Sequence, residues 1–126
     1  MRFMSTRAHG MMDWVMGPVL IALPFALGLD IGWPEGWIFL VLGIGMLLLT
    51  AFTDYELGLV RKIPVTTHLT MDAVAGALLA VSPWLFGFSD RIWVPHLVLG
   101  LIDLGTSFMT QRKATAARHR SATSRA

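Results

Sequence analysis

The chain alternates long apolar runs with short polar ones. Four apolar runs stand out, at residues 11–29, 37–52, 69–88 and 92–109. Each is roughly long enough to cross about 30 Å of hydrocarbon as a helix, the second being somewhat short. The first two runs are joined by DIGWPEGW and the last two by SDRIWVPH. Both connectors carry Trp and Pro, and Trp favours the membrane–water interface. The middle connector, DYELGLVRKIPVTTH, is longer and polar. This pattern predicts an all-α protein with four transmembrane helices.

The runs are related in pairs. Residues 9–28 come round again at 68–87, with eight matches in twenty positions at an offset of 59: His9/His68, Met12/Met71, Asp13/Asp72, Val15/Val74, Gly17/Gly76, Leu20/Leu79, Pro24/Pro83 and Gly28/Gly87. At an offset of 57, residues 41–53 lie over 98–110 with five matches in thirteen. The repeated unit is therefore a two-helix hairpin, used twice, at 1–58 and 59–111. Because each hairpin crosses twice, both enter from the same side. The expected fold is a four-helix bundle of two tandem, same-orientation hairpins, related by a pseudo-two-fold axis along the membrane normal.

Composition and charge sharpen this picture. The 126 residues are 55% hydrophobic and 14% charged, with mean hydropathy +0.63. A soluble domain usually carries about a quarter charged residues, so lipid is the expected solvent. Nine of the ten basic residues would share one face: Arg2, Arg7, Arg61, Lys62 and the five in the tail, with Arg91 alone opposite. The positive-inside rule then makes both termini cytoplasmic in a bacterial-type inner membrane. Residues 112–126 read as a basic, flexible cytoplasmic tail. The pI near 9.7 follows from this topology pattern, and nucleic acid is not an expected partner. The chain has no Cys, which removes disulfides, thiolate catalysis and Cys-held metal clusters. The first run is not expected to be a cleaved signal peptide, since the same segment recurs in mid-chain.

Ser82-Pro83-Trp84, followed by Leu85-Phe86-Gly87-Phe88, resembles the signature of the SPW-repeat family of small bacterial membrane proteins. The preceding His68-x3-Asp72-x3-Gly76 fits the same pattern. The first copy departs from it, with Leu23-Pro24-Phe25 in place of the tripeptide. The resemblance implies a multi-span membrane domain and brings no activity with it.

Candidate chemistry is sparse. On a helical wheel His9, Met12, Asp13, Gly17, Leu20, Pro24 and Gly28 fall within an arc of about 160°, with Val15 outside it. Gly17 and Gly76 would allow close backbone approach, and Pro24 and Pro83 would bend their helices; Trp84 sits beside the second bend. His9/Asp13 and His68/Asp72 are spaced i,i+4, so each pair shares one helix face. Structural pairing is the simplest role for them; proton or ion handling, or a divalent metal held by two imidazoles and two carboxylates, are the alternatives. Asp103 lies well inside the fourth run, in a polar stripe with His96, Gly100, Ser107, Thr110 and Gln111. Such a stripe serves either as an interhelical hydrogen-bond seam or as a wet, proton-conducting path.

No phosphate-binding loop, nucleophile elbow, zinc-protease helix or dinucleotide fingerprint occurs, so no catalytic residue and no cofactor are expected. The expected role is structural, through helix–helix contacts and within a homo-oligomer in the lipid bilayer. The alternative is a small proton- or ion-linked transporter using Asp103 and the two His/Asp pairs.

Overall fold

In the computed structural model, which describes residues 4–110, the chain is all-α. Four helices follow in order: α1 (Thr6–Ala26), α2 (Pro34–Phe52), α3 (Val65–Leu85) and α4 (Val94–Met109). Arg2, Gln111 and the basic tail at 112–126 lie outside the described residues. Helices α2 and α3 are long and apolar enough to cross a membrane, and α4 is a shorter apolar helix. The four expected runs are thus not alike: α4 has only 16 residues, and Arg7, His9 and Asp13 dilute the apolar character of α1. Both α1 and α3 begin a turn or more before their apolar runs, which brings His9 and His68 inside the helices.

Local chemistry sets the helix ends. Ser5 caps α1 by accepting the Ala8 N–H at 3.1 Å. Helices α2 and α4 open with Pro34 and Pro95 in their first turns, where a missing N–H costs nothing. Helices α1 and α3 end identically. Gly28 and Gly87 take φ +67° and +76°, and the next residue's N–H returns to the carbonyl of Pro24 (2.7 Å) or Pro83 (2.8 Å). Only glycine adopts that φ freely, which accounts for its presence in both copies.

Pro83 has no N–H, so the Leu79 carbonyl lacks its helical partner. The buried Ser82 hydroxyl donates to that carbonyl at 2.7 Å. This gives the serine of the Ser-Pro-Trp signature a physical task. Leu23, before Pro24, has no hydroxyl to do the same. Trp84 is half exposed and lies 6.0 Å from Trp93 between ring centres.

Helix α1 packs on α2, and α3 packs on α4, with a smaller contact of α2 on α3. Both hairpins cross at glycines. A Cβ on Gly17 would meet Leu47 at 2.5 Å and the Gly43 carbonyl at 3.4 Å; one on Gly76 would meet Leu104 N at 2.7 Å and the Gly100 carbonyl at 2.8 Å. Each glycine therefore serves the crossing within its own hairpin. Between the hairpins sits a small core of Leu20, Ile38, Phe39, Met46 and Leu79.

The chain entering each hairpin pairs with the chain leaving the other. Met4 N–H donates to Met109 O at 2.9 Å, and Ile63 N–H to Phe52 O at 2.8 Å, giving parallel pairings of Met4 with Thr110 and of Ile63 with Thr53. Elsewhere, large apolar side chains face outward on all four helices. Val15, Phe25, Val41, Leu48, Val74, Leu85, Leu101 and Phe108 are each more than half exposed.

Candidate functional site

Two turns into α1 and α3, four ionisable side chains meet. His9, Asp13, His68 and Asp72 are each only 2–3% exposed. Their spacing of four puts each His and Asp on one helix face, and the hairpin pairings above bring the two faces together. His9 Nε2 lies 2.7 Å from Asp72 Oδ2 and 3.2 Å from Asp13 Oδ2. His68 Nε2 lies 2.8 Å from Asp13 Oδ2 and 2.9 Å from Asp72 Oδ2. The shortest contact of each histidine crosses to the other hairpin. The imidazole rings meet edge to face, 5.5 Å between centres.

Two threonines fix the orientation of the rings. Thr53 Oγ1 lies 2.6 Å from Leu49 O and 2.6 Å from His68 Nδ1. Thr110 Oγ1 lies 2.6 Å from Thr106 O and 2.8 Å from His9 Nδ1. A hydroxyl has one proton and a carbonyl has none to give. Each threonine therefore donates to its carbonyl and accepts from the imidazole, so both Nδ1 atoms carry hydrogen. Both Nε2 atoms are thereby turned toward the two carboxylates. Thr50 adds a hydroxyl donor to Asp13 Oδ2 at 3.3 Å.

Charge balance follows from this geometry. With Nδ1 already protonated, a neutral imidazole would point its Nε2 lone pair at two carboxylates, which is repulsive. No Lys or Arg among the described residues bonds to either carboxylate. The centre therefore requires two positive charges from elsewhere: one proton on each Nε2, or one dication among the four groups. The four facing atoms lie within 4.8 Å of one another, a set that could hold a metal ion.

Tyr55, just beyond α2, covers the cluster from the side of the Arg61–Lys62 connector. Its ring centre is 5.6 Å from that of His68, and its Cε2, Cζ and Oη crowd Gly10. The hydroxyl is buried and makes no hydrogen bond of good geometry, although Thr50 is a polar neighbour. Burial pushes the phenol above its ordinary pKa, so it stays protonated. Alongside, Thr6 donates to both Glu56 oxygens, at 3.0 and 2.7 Å.

The polar stripe of α4 does not act as one unit. His96 lies at the opposite end of the bundle, fully buried between Phe39 and Phe88. Its Nε2–H donates to the Glu35 carbonyl at 2.9 Å, and its Nδ1 has no partner. Glu35 in turn binds Arg91 at 2.8 Å. Ser107 and Thr106 donate back to the Asp103 carbonyl, at 2.8 and 3.0 Å. The Asp103 carboxylate makes no hydrogen bond to a described Ser, Thr or His, and the stripe bonds across helices only towards its ends, through His96 and Thr110. Thr106 and Ser107 donate to the backbone of their own helix, as helical Ser and Thr often do. Asp103 is half-buried, and with Asp72 it lines a mainly apolar cavity of about 230 Å³ that Met16, Met46 and Leu79 also border.

The face shared by the two copies is the buried one. His9, Asp13, Gly17, Leu20 and Pro24 are buried in α1, and His68, Asp72, Gly76, Leu79 and Pro83 in α3. Met71 and Gly28 lie outside it: Met71 is half exposed, and Gly28 serves the helix cap. Sequence reasoning missed Thr53, although it stands at the last matched position of the second repeat alignment, opposite Thr110. It missed Tyr55 as well, whose partner position falls in the tail.

A protein-family model, the SPW repeat domain, matches residues 7–110. No curated protein and no solved structure matches the chain.

Proposed function

The chain belongs to the SPW repeat family, and from that premise we propose a four-span integral membrane protein whose role is structural rather than enzymatic. Two same-orientation hairpins, 1–58 and 59–111, stand about a pseudo-two-fold axis along the membrane normal. Both termini, with the basic tail, face the cytoplasm of a bacterial-type inner membrane. Several observations support this reading. The outward-facing apolar side chains on all four helices suit lipid better than water. The cap at Gly28 recurs at Gly87, the Gly17–Gly43 crossing at Gly76–Gly100, and the Met4–Thr110 pairing at Ile63–Thr53.

The observation that carries the role is the crosswise cluster. Each histidine takes its nearest carboxylate and its threonine from the other hairpin, so four buried polar groups fasten two apolar hairpins together. In lipid, helices associate through close packing and interhelical hydrogen bonds, and polar bonds of this kind help to fix register. Further helix–helix contact between copies would extend the same role to a homo-oligomer.

Topology is testable because the chain contains no Cys. Single cysteines at Lys62, Gly32 and Asp90 are expected to react with an impermeant maleimide from opposite sides: Lys62→Cys only in inverted vesicles, the other two only in intact cells. Labelling of Lys62→Cys from outside would refute the arrangement.

Asp103 favours a second function, a small proton- or ion-linked transporter. Its carboxylate lines one cavity with Asp72, a member of the cluster. Reconstituted protein would then show a flux that Asp103→Asn abolishes; absence of flux leaves the structural role in place.

A further inference from the structure

We propose that His9, Asp13, His68 and Asp72 form a four-coordinate site for one divalent transition-metal ion of the zinc class, bound between the two hairpins. Such a site presupposes the two-hairpin bundle proposed above and specifies what joins its halves.

Four features of the cluster point to a metal. The first is the donor set: two imidazole nitrogens and two carboxylate oxygens, one atom from each residue, all within 4.8 Å. Imidazole with carboxylate suits borderline divalent ions, and a closed set of four protein ligands is the pattern of a structural site.

The second is the outer shell. A metal-bound histidine nearly always donates its other ring N–H to a fixed acceptor, which sets the tautomer and aims the free nitrogen. Thr53 and Thr110 do this for His68 and His9, each hydroxyl being pinned in turn by a carbonyl at 2.6 Å. The two threonines come from the opposite hairpin to the histidine they hold. Ring direction is thus set independently of the carboxylates.

The third is charge. Two carboxylates, two neutral imidazoles and one dication sum to zero, the condition under which charge is tolerated at membrane depth. A single ion does this with one object at the centre, whereas two protons leave each Nε2–H shared between two oxygens.

The fourth is size. Tetrahedral ligands at about 2.0–2.1 Å from zinc stand about 3.3 Å from one another. The four Nε2–Oδ2 separations run from 2.7 to 3.2 Å. The set spans up to 4.8 Å, so taking up the ion means side-chain rotations that open these four contacts slightly and draw the widest pair together. Tyr55 screens the site on the connector side.

The decisive measurement uses the wild-type, full-length protein in detergent, stripped with chelator and titrated with Co²⁺, then with Zn²⁺. The expected result is one Co²⁺ per chain with the intense visible absorption of a tetrahedral centre, lost when one equivalent of Zn²⁺ displaces it. Thr53→Val with Thr110→Val keeps all four ligands but frees the rings, and should weaken Co²⁺ binding about 10–100-fold while preserving the spectrum. Wild-type protein that takes up no Co²⁺, or takes it up with a six-coordinate spectrum, overturns the metal site. An Asp13→Ala variant separates the two levels. If it lowers the melting temperature while the wild type binds no metal, the cluster joins the hairpins through protons and only the metal is wrong. If it leaves the melting temperature unchanged, the fastening role itself fails.

Discussion

The two ends of the bundle are built differently. At the end near the Arg61–Lys62 connector the histidine contacts between the hairpins occur twice: His9 with Asp72 and Thr110, His68 with Asp13 and Thr53, and two backbone pairings beside them. At the opposite end the helix caps at Gly28 and Gly87 recur, but the contacts between the hairpins occur once. Arg91 binds Glu35, His96 binds the Glu35 carbonyl, and Phe39 stacks on His96 at 4.3 Å, although those two side chains occupy matching positions in the hairpins. Ser82 and Trp84 likewise face Leu23 and Phe25 in the other copy. A contact that needs residues from both hairpins can be kept twice only if four or more positions stay matched. The doubled end is therefore where chemistry restricts the choice of residue in both copies, and the single end is where the copies are free to differ.

The contrast can be broken most forcefully at the cluster. Asp13→Ala or Asp72→Ala leaves two imidazoles with one carboxylate in a buried site, and should cost about 3–5 kcal/mol, the range for removing one partner of a buried ion pair. Thermal unfolding in detergent measures it, and equal losses for the two variants would match the doubled geometry. A clear inequality would mean that Thr50, which supports Asp13, makes the halves energetically distinct.

The glycine crossings give the next largest effect and sharpen the comparison within one end-to-end pair. Gly76→Ala sets a methyl group against backbone, Leu104 N and Gly100 O, neither of which can move without shifting α4. The cost should be about 1–3 kcal/mol, as for other overpacked sites. Gly17→Ala meets chiefly the Leu47 side chain, which can change rotamer, and the gain in helix propensity of about 1 kcal/mol offsets much of the strain. The expected order in melting temperature is wild type close to Gly17→Ala, with Gly76→Ala well below both.

Much of this was legible in the chain. Apolar run length marked the four helices, and the arc holding His9, Asp13, Gly17, Leu20 and Pro24 coincides with the buried face of α1, because periodicity reports burial directly. The i,i+4 spacing placed each His beside its Asp. It could not tell that the nearest carboxylate of His9 would be Asp72, since pairing between helices depends on packing distance. The run boundaries fell late for α1 and α3 because polar first turns do not register as apolar. Periodicity places Asp103 in a polar stripe of α4 but carries no sign that Ser107 and Thr106 bond to its carbonyl rather than to its carboxylate.

Ser82 tests a smaller difference between the copies. Ser82→Ala removes the donor to the Leu79 carbonyl and leaves that oxygen without the bond, at a cost of about 1 kcal/mol. Leu23→Ser in the first copy offers the mirror experiment. A gain there would mean that the Leu20 carbonyl, deprived of its helical partner by Pro24, also lacks compensation; no change would mean that the end of α1 has adjusted to Leu23.

The smallest effect belongs to Arg91. Its side chain is 59% exposed while that of Glu35 is 4% exposed, so the pair is wet on one side only. Arg91→Ala removes the partner on the wet side of the pair, and the loss should fall well below that of Asp13→Ala. His96 is unaffected, because it binds the Glu35 backbone rather than the carboxylate. Raising the salt concentration should narrow the gap between Arg91→Ala and wild type by screening the pair, while leaving the Asp13→Ala deficit in place, since buried charges are screened far less. Equal salt sensitivity in both variants would place the His–Asp cluster in contact with solvent and remove the distinction between the two ends.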